Sequence, residues 1–171
     1  MWERLKRVKK FTPKAQLDQM IGPPLFQMED RPVYYYGGGM AVYFSPRCFR
    51  IEGIQRVEYG EPGEYAVGVY HFSDTAALKE ELGLSDFSMD DAAALEGEIT
   101  DGVSYQATYD EVCKWARENR PGDCQGGETR SLKGEKMVFK NLFLMCGQYD
   151  FYFYGKSKRT KLTGFRFVFD E

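Results

Sequence analysis

The strongest chemical signal in this 171-residue chain is a run of cations beside tyrosines. Tyr152 and Tyr154 are followed by Lys156, Lys158, Arg159 and Lys161. Lysine and arginine neutralise phosphates and tyrosine stacks on bases, so such a stretch suits single-stranded nucleic acid. Tyrosine and arginine are also enriched where proteins meet. A third reading is a solubilising loop whose lysines keep a sheet edge from pairing. These residues are the candidate binding site, with a protein partner preferred and a nucleic acid or nucleotide ligand as the alternative.

Other chemistry is weaker. A histidine-dependent mechanism must use His71, the only histidine, and in His71-Phe-Ser-Asp74 it sits at a strand end where Ser73 or Asp74 is needed to cap a helix. A hydrolase using His71 or an acidic pair therefore ranks third. The acids of residues 86–101, Asp86, Asp90, Asp91, Glu96, Glu98 and Asp101, lack the spacing of a calcium loop and read as a solvated excursion. The four cysteines, Cys48, Cys113, Cys124 and Cys146, contain no Cys-x-x-Cys pair, so neither a metal nor a cofactor is expected. Cys124 and Cys146 would pair in an oxidising compartment; in a leaderless chain all the thiols would stay reduced, with Cys48 and Cys146 semi-buried. Gly37-Gly38-Gly39 lies between strand-like runs, opens no helix and precedes no Lys-Ser/Thr, so it reads as a turn and not a phosphate loop.

These residues must be carried by a scaffold rich in β-structure. Aromatic residues make up 16% of the chain, and tyrosine and phenylalanine favour pleated, half-buried surfaces. The last third alternates: Met137–Cys146, Tyr149–Tyr154 and Leu162–Phe169 read as antiparallel strands. In them Phe151, Phe153, Phe165, Phe167 and Phe169 face a core, and Tyr152 and Tyr154 face outward. Residues 33–36, 40–44, 47–52, 54–59 and 65–72 are further strands, and 123–136 is a polar, glycine-containing loop.

Helices are signalled by their ends. Thr12-Pro13 starts one that Gly22-Pro23-Pro24 stops, with Leu17, Met20 and Ile21 on its apolar face. Ser73 or Asp74 caps one carrying Leu78 and Leu82, and Gly83 ends it. A helical turn is expected at 92–95. Thr108-Tyr-Asp-Glu111 is a capping box opening a helix with Val112, Trp115 and Ala116 on one side. In residues 1–11, Trp2, Leu5 and Val8 form a stripe among five basic residues, either a membrane-surface helix or the solvated side of a packed one.

The predicted fold is α+β: antiparallel sheet of about seven to nine strands with three or four short helices packed on one face. Residues 1–72 form a helix plus meander, 73–107 a helix and acidic excursion, and 108–171 a second helix plus aromatic meander. This order suggests a pseudo-repeat, with Thr12 and Thr108 opening equivalent helices.

The motif Thr12-x4-Leu17-x2-Met20-Ile21-Gly22-Pro23-Pro24, with the Tyr34–Tyr36 and Val42–Phe44 strands behind it, resembles the small helix-plus-meander domain of SmpA/OmlA-type outer-membrane assembly lipoproteins. It is similar also to the repeats of tandem-repeat β-lactamase inhibitor proteins. The resemblance covers residues 12–59. It implies a non-enzymatic protein-binding module, of inhibitor, immunity or envelope-assembly type, and carries over no site residues. The lipoprotein leader and cysteine are missing, and the acidic middle has no counterpart.

A net charge of -3 excludes a surface built throughout for nucleic acid. No apolar run approaches a membrane span. A soluble protein is expected, cytoplasmic as written, or a cell-envelope domain if a leader precedes it.

Overall fold

The computed structural model describes residues 1–83 and 92–171. The chain opens with a single helical turn, α1 (Trp2–Leu5), then β1 (Thr12–Pro13) and α2 (Lys14–Ile21). There follow β2 (Phe26–Gln27), β3 (Val33–Gly37), β4 (Met40–Ser45), β5 (Cys48–Glu52), β6 (Gln55–Tyr59), β7 (Tyr65–Phe72) and α3 (Thr75–Leu82). After the undescribed residues come β8 (Glu98–Thr100), β9 (Val103–Ser104), α4 (Tyr109–Asn119), β10 (Cys124–Lys133), β11 (Lys136–Cys146), β12 (Tyr149–Phe153) and β13 (Gly164–Val168).

One antiparallel nine-stranded sheet organises the molecule, in the order β10-β11-β12-β13-β7-β4-β3-β2, with β1 paired to β7. Taken from either edge inward, the strands follow chain order to a seam where β13 meets β7. Each half is thus a helix followed by four strands of a meander, α2 with β2-β3-β4-β7 and α4 with β10 to β13. The hairpin β5-β6 forms a separate ribbon inserted between β4 and β7, where the other half has the basic loop between β12 and β13. The helix entries also correspond. Lys14 N–H, the first of α2, donates to Glu64 O at 2.9 Å, and Tyr109 N–H, the first of α4, donates to Thr160 O at 3.0 Å. Both acceptors lie just ahead of the strand that forms the seam.

The alternation expected of β12 and β13 is present: Phe151, Phe153, Phe165, Phe167 and Phe169 are all buried. On that face they meet Leu17 of α2 and Val112 and Ala116 of α4. Trp2, Leu5 and Val8 join the same core, and Trp2 packs edge-on against Phe165 with ring centroids 4.9 Å apart. The amphipathic arm therefore has its apolar stripe inside the protein, clamped near the other terminus by Lys10 N–H donating to Asp170 O.

Packing on one face holds for α1, α2 and α4, while α3 lies on the other. Its Ala77, Leu78 and Leu82 cover Tyr35, Ala41 and Phe72 in a second core. Asp74 caps α3 by accepting from Ala76 N–H at 2.7 Å, and left-handed Gly83 ends it.

Three local expectations change. The stretch 123–136 is no loop: Cys124–Lys133 is a full strand paired along β11, with a register shift between Thr129 and Arg130. Its polar, mostly exposed side chains hid it, since backbone pairing at a sheet edge needs no buried face. Thr12 does not cap α2; Pro13 occupies that position without a side-chain cap, because Thr12 and Pro13 pair with Ala66 and Tyr65 of β7. Residues 92–95 form no helical turn. Of the acidic excursion, Asp86, Asp90 and Asp91 lie outside the described residues, and Glu98 opens β8.

Candidate functional site

The predicted binding residues separate into two groups. Tyr152 and Tyr154 do point to the face opposite the phenylalanines, but α3 lies over that face. Tyr152 stacks on Phe72 with centroids 5.6 Å apart, Tyr154 tilts against the same ring at 5.9 Å, and Tyr154 Oη donates to Glu81 of α3 at 2.9 Å. Burial, then the nearby Glu81 carboxylate, push both phenols well above their ordinary pKa. These rings are half-buried and pack against the second core, which reduces the stacking surface they offer to a ligand.

Beside them the sheet carries an Arg166–Asp150 pair at 2.5 Å, on neighbouring β13 and β12. Burial raises the Asp150 carboxyl against the pull of Arg166.

The cations behave differently. Lys156, Lys158, Arg159 and Lys161 are all exposed, on a loop whose backbone is fixed. Asp110 N–H donates to Lys158 O at 3.0 Å and Leu162 N–H to Ala107 O at 2.9 Å. Lys161 Nζ donates to Gln106 Oε1 at 2.7 Å. The loop is therefore moored to the entry of α4, itself set by the Thr108–Glu111 capping box. The first amides of α4 are all used in this way, which leaves no anion-binding helix end there.

From this mooring a groove runs along α4, between the helix and β10. Its volume is about 490 Å³, and it is lined by Tyr109, Cys113, Ala116, Arg117 and Arg120 of α4 and its end, with Cys124, Gly126 and Leu144 opposite. Such a volume lies within the usual range for bound ligands. Residues at positions 109, 113, 116/117 and 120 share one helical stripe by their spacing of three and four. Gly126 permits a close approach here: a Cβ would lie 2.8 Å from Tyr109 Oη and 3.1 Å from Leu144 Cδ1, so with glycine Tyr109 rests directly on the strand.

The groove is electropositive. Its lining holds two guanidiniums and no carboxylate, and neither Arg117 nor Arg120 forms an ion pair among the described residues. The same is true of Lys156, Lys158 and Arg159. Lys158 reaches the groove electrostatically: burial raises the Cys113 thiol, Tyr109, Arg117 and Lys158 act to lower it, and Asp110 raises it further. Cations of the loop and of the groove thus lie near one another, with Asp110 and Glu128 as neighbouring acids. In the sequence alone Arg117 and Arg120 do no more than suit the negative end of a helix; with β10 taken for a loop, no groove can be drawn.

A disulfide closes one end of this surface. Cys124 and Cys146 are opposite one another on β10 and β11 and bonded, with Cα atoms 4.3 Å apart. This corrects the reading of four reduced thiols; Cys48 and Cys113 are free.

His71 is fully enclosed, at 0% exposure. Its Nε2 lies 3.0 Å from Gly38 O, which makes it the donor, and Nδ1 contacts the Tyr105 hydroxyl. Burial lowers its pKa to about 4. Among the described residues, no group of three or more His, Cys, Asp or Glu side chains could hold a metal, and no helix is long and apolar enough to cross a membrane.

No protein-family model matches this chain, and no curated protein does. Among solved structures, an extracellular protein containing an SCP domain from Bacillus anthracis str. Ames is 11% identical, with a TM-score of 0.35 over 94% of this chain and 44% of that one. The chain thus spans less than half the length of that protein. At this TM-score the likeness carries no argument.

Proposed function

We propose that this chain is a protein-binding module of the inhibitor, immunity or envelope-assembly type, whose docking surface is the basic loop 156–161 together with the α4–β10 groove. The observation that carries the reading is charge without internal partners. Arg117 and Arg120 line the groove, Lys158 of the neighbouring loop acts on its Cys113, and these three, with Lys156 and Arg159, form no ion pair among the described residues, on a molecule of net charge -3. Such a surface attracts a partner bearing carboxylates, steering encounter and fixing orientation. A protein partner is favoured over single-stranded nucleic acid because Tyr152 and Tyr154 give their rings to Phe72 instead of presenting them to bases. The disulfide supports an oxidising setting such as the cell envelope or exterior.

The test is charge reversal at separate points of the surface, Arg117→Glu with Arg120→Glu and, independently, Lys156→Glu with Lys158→Glu. Each should weaken binding to a co-purifying acidic partner by at least about tenfold, or about 1.4 kcal/mol, with the melting temperature unchanged. Undiminished binding by both variants would remove the surface from consideration. Steeply salt-dependent binding to oligonucleotides, lost in the same variants, would move the assignment to nucleic acid.

A further inference from the structure

We propose that the free edge of β10 is completed by a strand from the partner: an extended, acidic segment pairs with Cys124–Thr129 and lays alternate side chains in the groove beside α4. The inference rests on the docking surface proposed above and specifies how it is used.

The nine-stranded sheet has two edges, and they are unlike. At one, β2 has two residues; at the other, β10 has ten. A long edge strand displays a row of unsatisfied backbone groups and is a template for another chain. Short edges, prolines, bulges and lysines normally prevent this. In β10 such devices are confined to the far end, where the register shift precedes Arg130 and Lys133. Cys124–Thr129 contains no proline and is continuously paired to β11 on its inner side.

Register identifies the groups on offer. In an antiparallel pair, residues about 4.5 Å apart exchange no hydrogen bonds and turn their N–H and C=O away from each other, whereas bonded pairs are about 5.5 Å apart. The 4.3 Å between Cys124 and Cys146 makes them a narrow pair. By alternation along the continuous register, Gly126 and Glu128 are narrow-pair residues too, so their backbone groups face outward. Among the described residues none of these groups has a backbone partner across the edge.

The groove supplies specificity. A strand added here would have alternate side chains on the α4 face, between Tyr109, Cys113 and the two arginines. Glutamates or aspartates at those positions would meet Arg117, Arg120 and, near the loop, Lys158. Backbone pairing would hold the segment, and the helix stripe would choose its charge.

The full chain, isotope-labelled, is titrated with a short synthetic peptide alternating valine or threonine with glutamate, and with a counterpart carrying lysine in place of glutamate. Fluorescence anisotropy reads affinity and amide hydrogen exchange reads pairing. The acidic peptide should bind at least about tenfold more tightly than the basic one and slow exchange at Gly126 and Glu128. Glu128 also places a carboxylate near Tyr109 and pairs with Arg130, so Glu128→Pro is compared with Glu128→Gln, which removes that charge alone. Glu128→Pro in addition removes an outward N–H and leaves the β11 ladder intact, and should bind about five- to tenfold more weakly than Glu128→Gln with the fold retained. Peptide binding that is lost on reversing Arg117 and Arg120, with those amides unprotected and Glu128→Pro no weaker than Glu128→Gln, would overturn strand addition and leave acidic docking standing. Failure of the acidic peptide to bind, or protection of β10 amides through dimerisation of the protein alone, would overturn the proposal as well. Should Glu128→Pro not fold, the exchange measurement on the native chain decides.

Discussion

Acid should weaken this fold through His71 in a window set by its burial. In the folded chain the imidazole titrates at about 4 against an ordinary 6.5, because it is enclosed between Gly38 O, the Tyr105 hydroxyl and Phe165, with no charged side chain at hydrogen-bonding distance among the described residues. Above pH 6.5 the ring is neutral folded or unfolded and adds no pH dependence. Between 6.5 and 4 the unfolded chain takes up a proton that the native state refuses, so stability falls as pH falls through that range. At about 1.36 kcal/mol for each pKa unit, the full loss is about 3 kcal/mol. The comparison is with His71→Gln, which keeps a polar side chain at the site but does not titrate. Urea unfolding at pH steps from 7 to 4 gives both stability curves, and their difference isolates the imidazole, since carboxylates such as Asp150 titrate alike in both. Native protein should lose about 3 kcal/mol more than the variant. Parallel curves, or a His71 ring titrating near 6.5 by NMR, would refute the reasoning.

Two further changes test the scaffold. The Cys124–Cys146 bond closes a 22-residue separation, so replacing both cysteines by serine should cost about 3 kcal/mol, read as a lower denaturation midpoint and reproduced in native protein by reductant. Gly164→Ala would place a methyl group in the Phe72 ring, with a cost of about 1–3 kcal/mol by thermal melting; an unchanged midpoint would mean that Phe72 and Tyr152 are not packed as described.

Much of the scaffold was legible because local rules and tertiary structure agree. Thr108 and Glu111 form their reciprocal cap, Asp74 and Gly83 bound α3, and strict alternation assigns both faces of β12 and β13. The sheet order is two-part, but Thr12 pairs with β7 and does not cap α2, and residues 48–59 form the separate β5-β6 ribbon, so the halves are not the two runs that the sequence suggests. What failed depended on neighbours that a local window cannot see. Nothing in Cys-Gln-Gly-Gly-Glu-Thr marks a strand, because its order comes from β11 alone. Tyr152 and Tyr154 face away from the phenylalanines as their alternation requires and are half-buried, since α3 arrives from far away in sequence. The groove was invisible for the first of these reasons; the basic loop at its end was visible because cations have to be exposed.

The pairing of β7 with β13 has the geometry of a subunit contact contained in one polypeptide. Antiparallel neighbours are related locally by a dyad through the sheet, and here a helix and four strands precede that line on each side in the same chain order. Supplied as separate chains, each half would end in an unpaired strand lined by Val69 or by Phe165 and Phe167, residues that are buried at 4% exposure or less in the intact protein. Such fragments should either recombine into the native sheet or pair with copies of themselves across the same line, making β7·β13 the place where a truncated product would first domain-swap or aggregate.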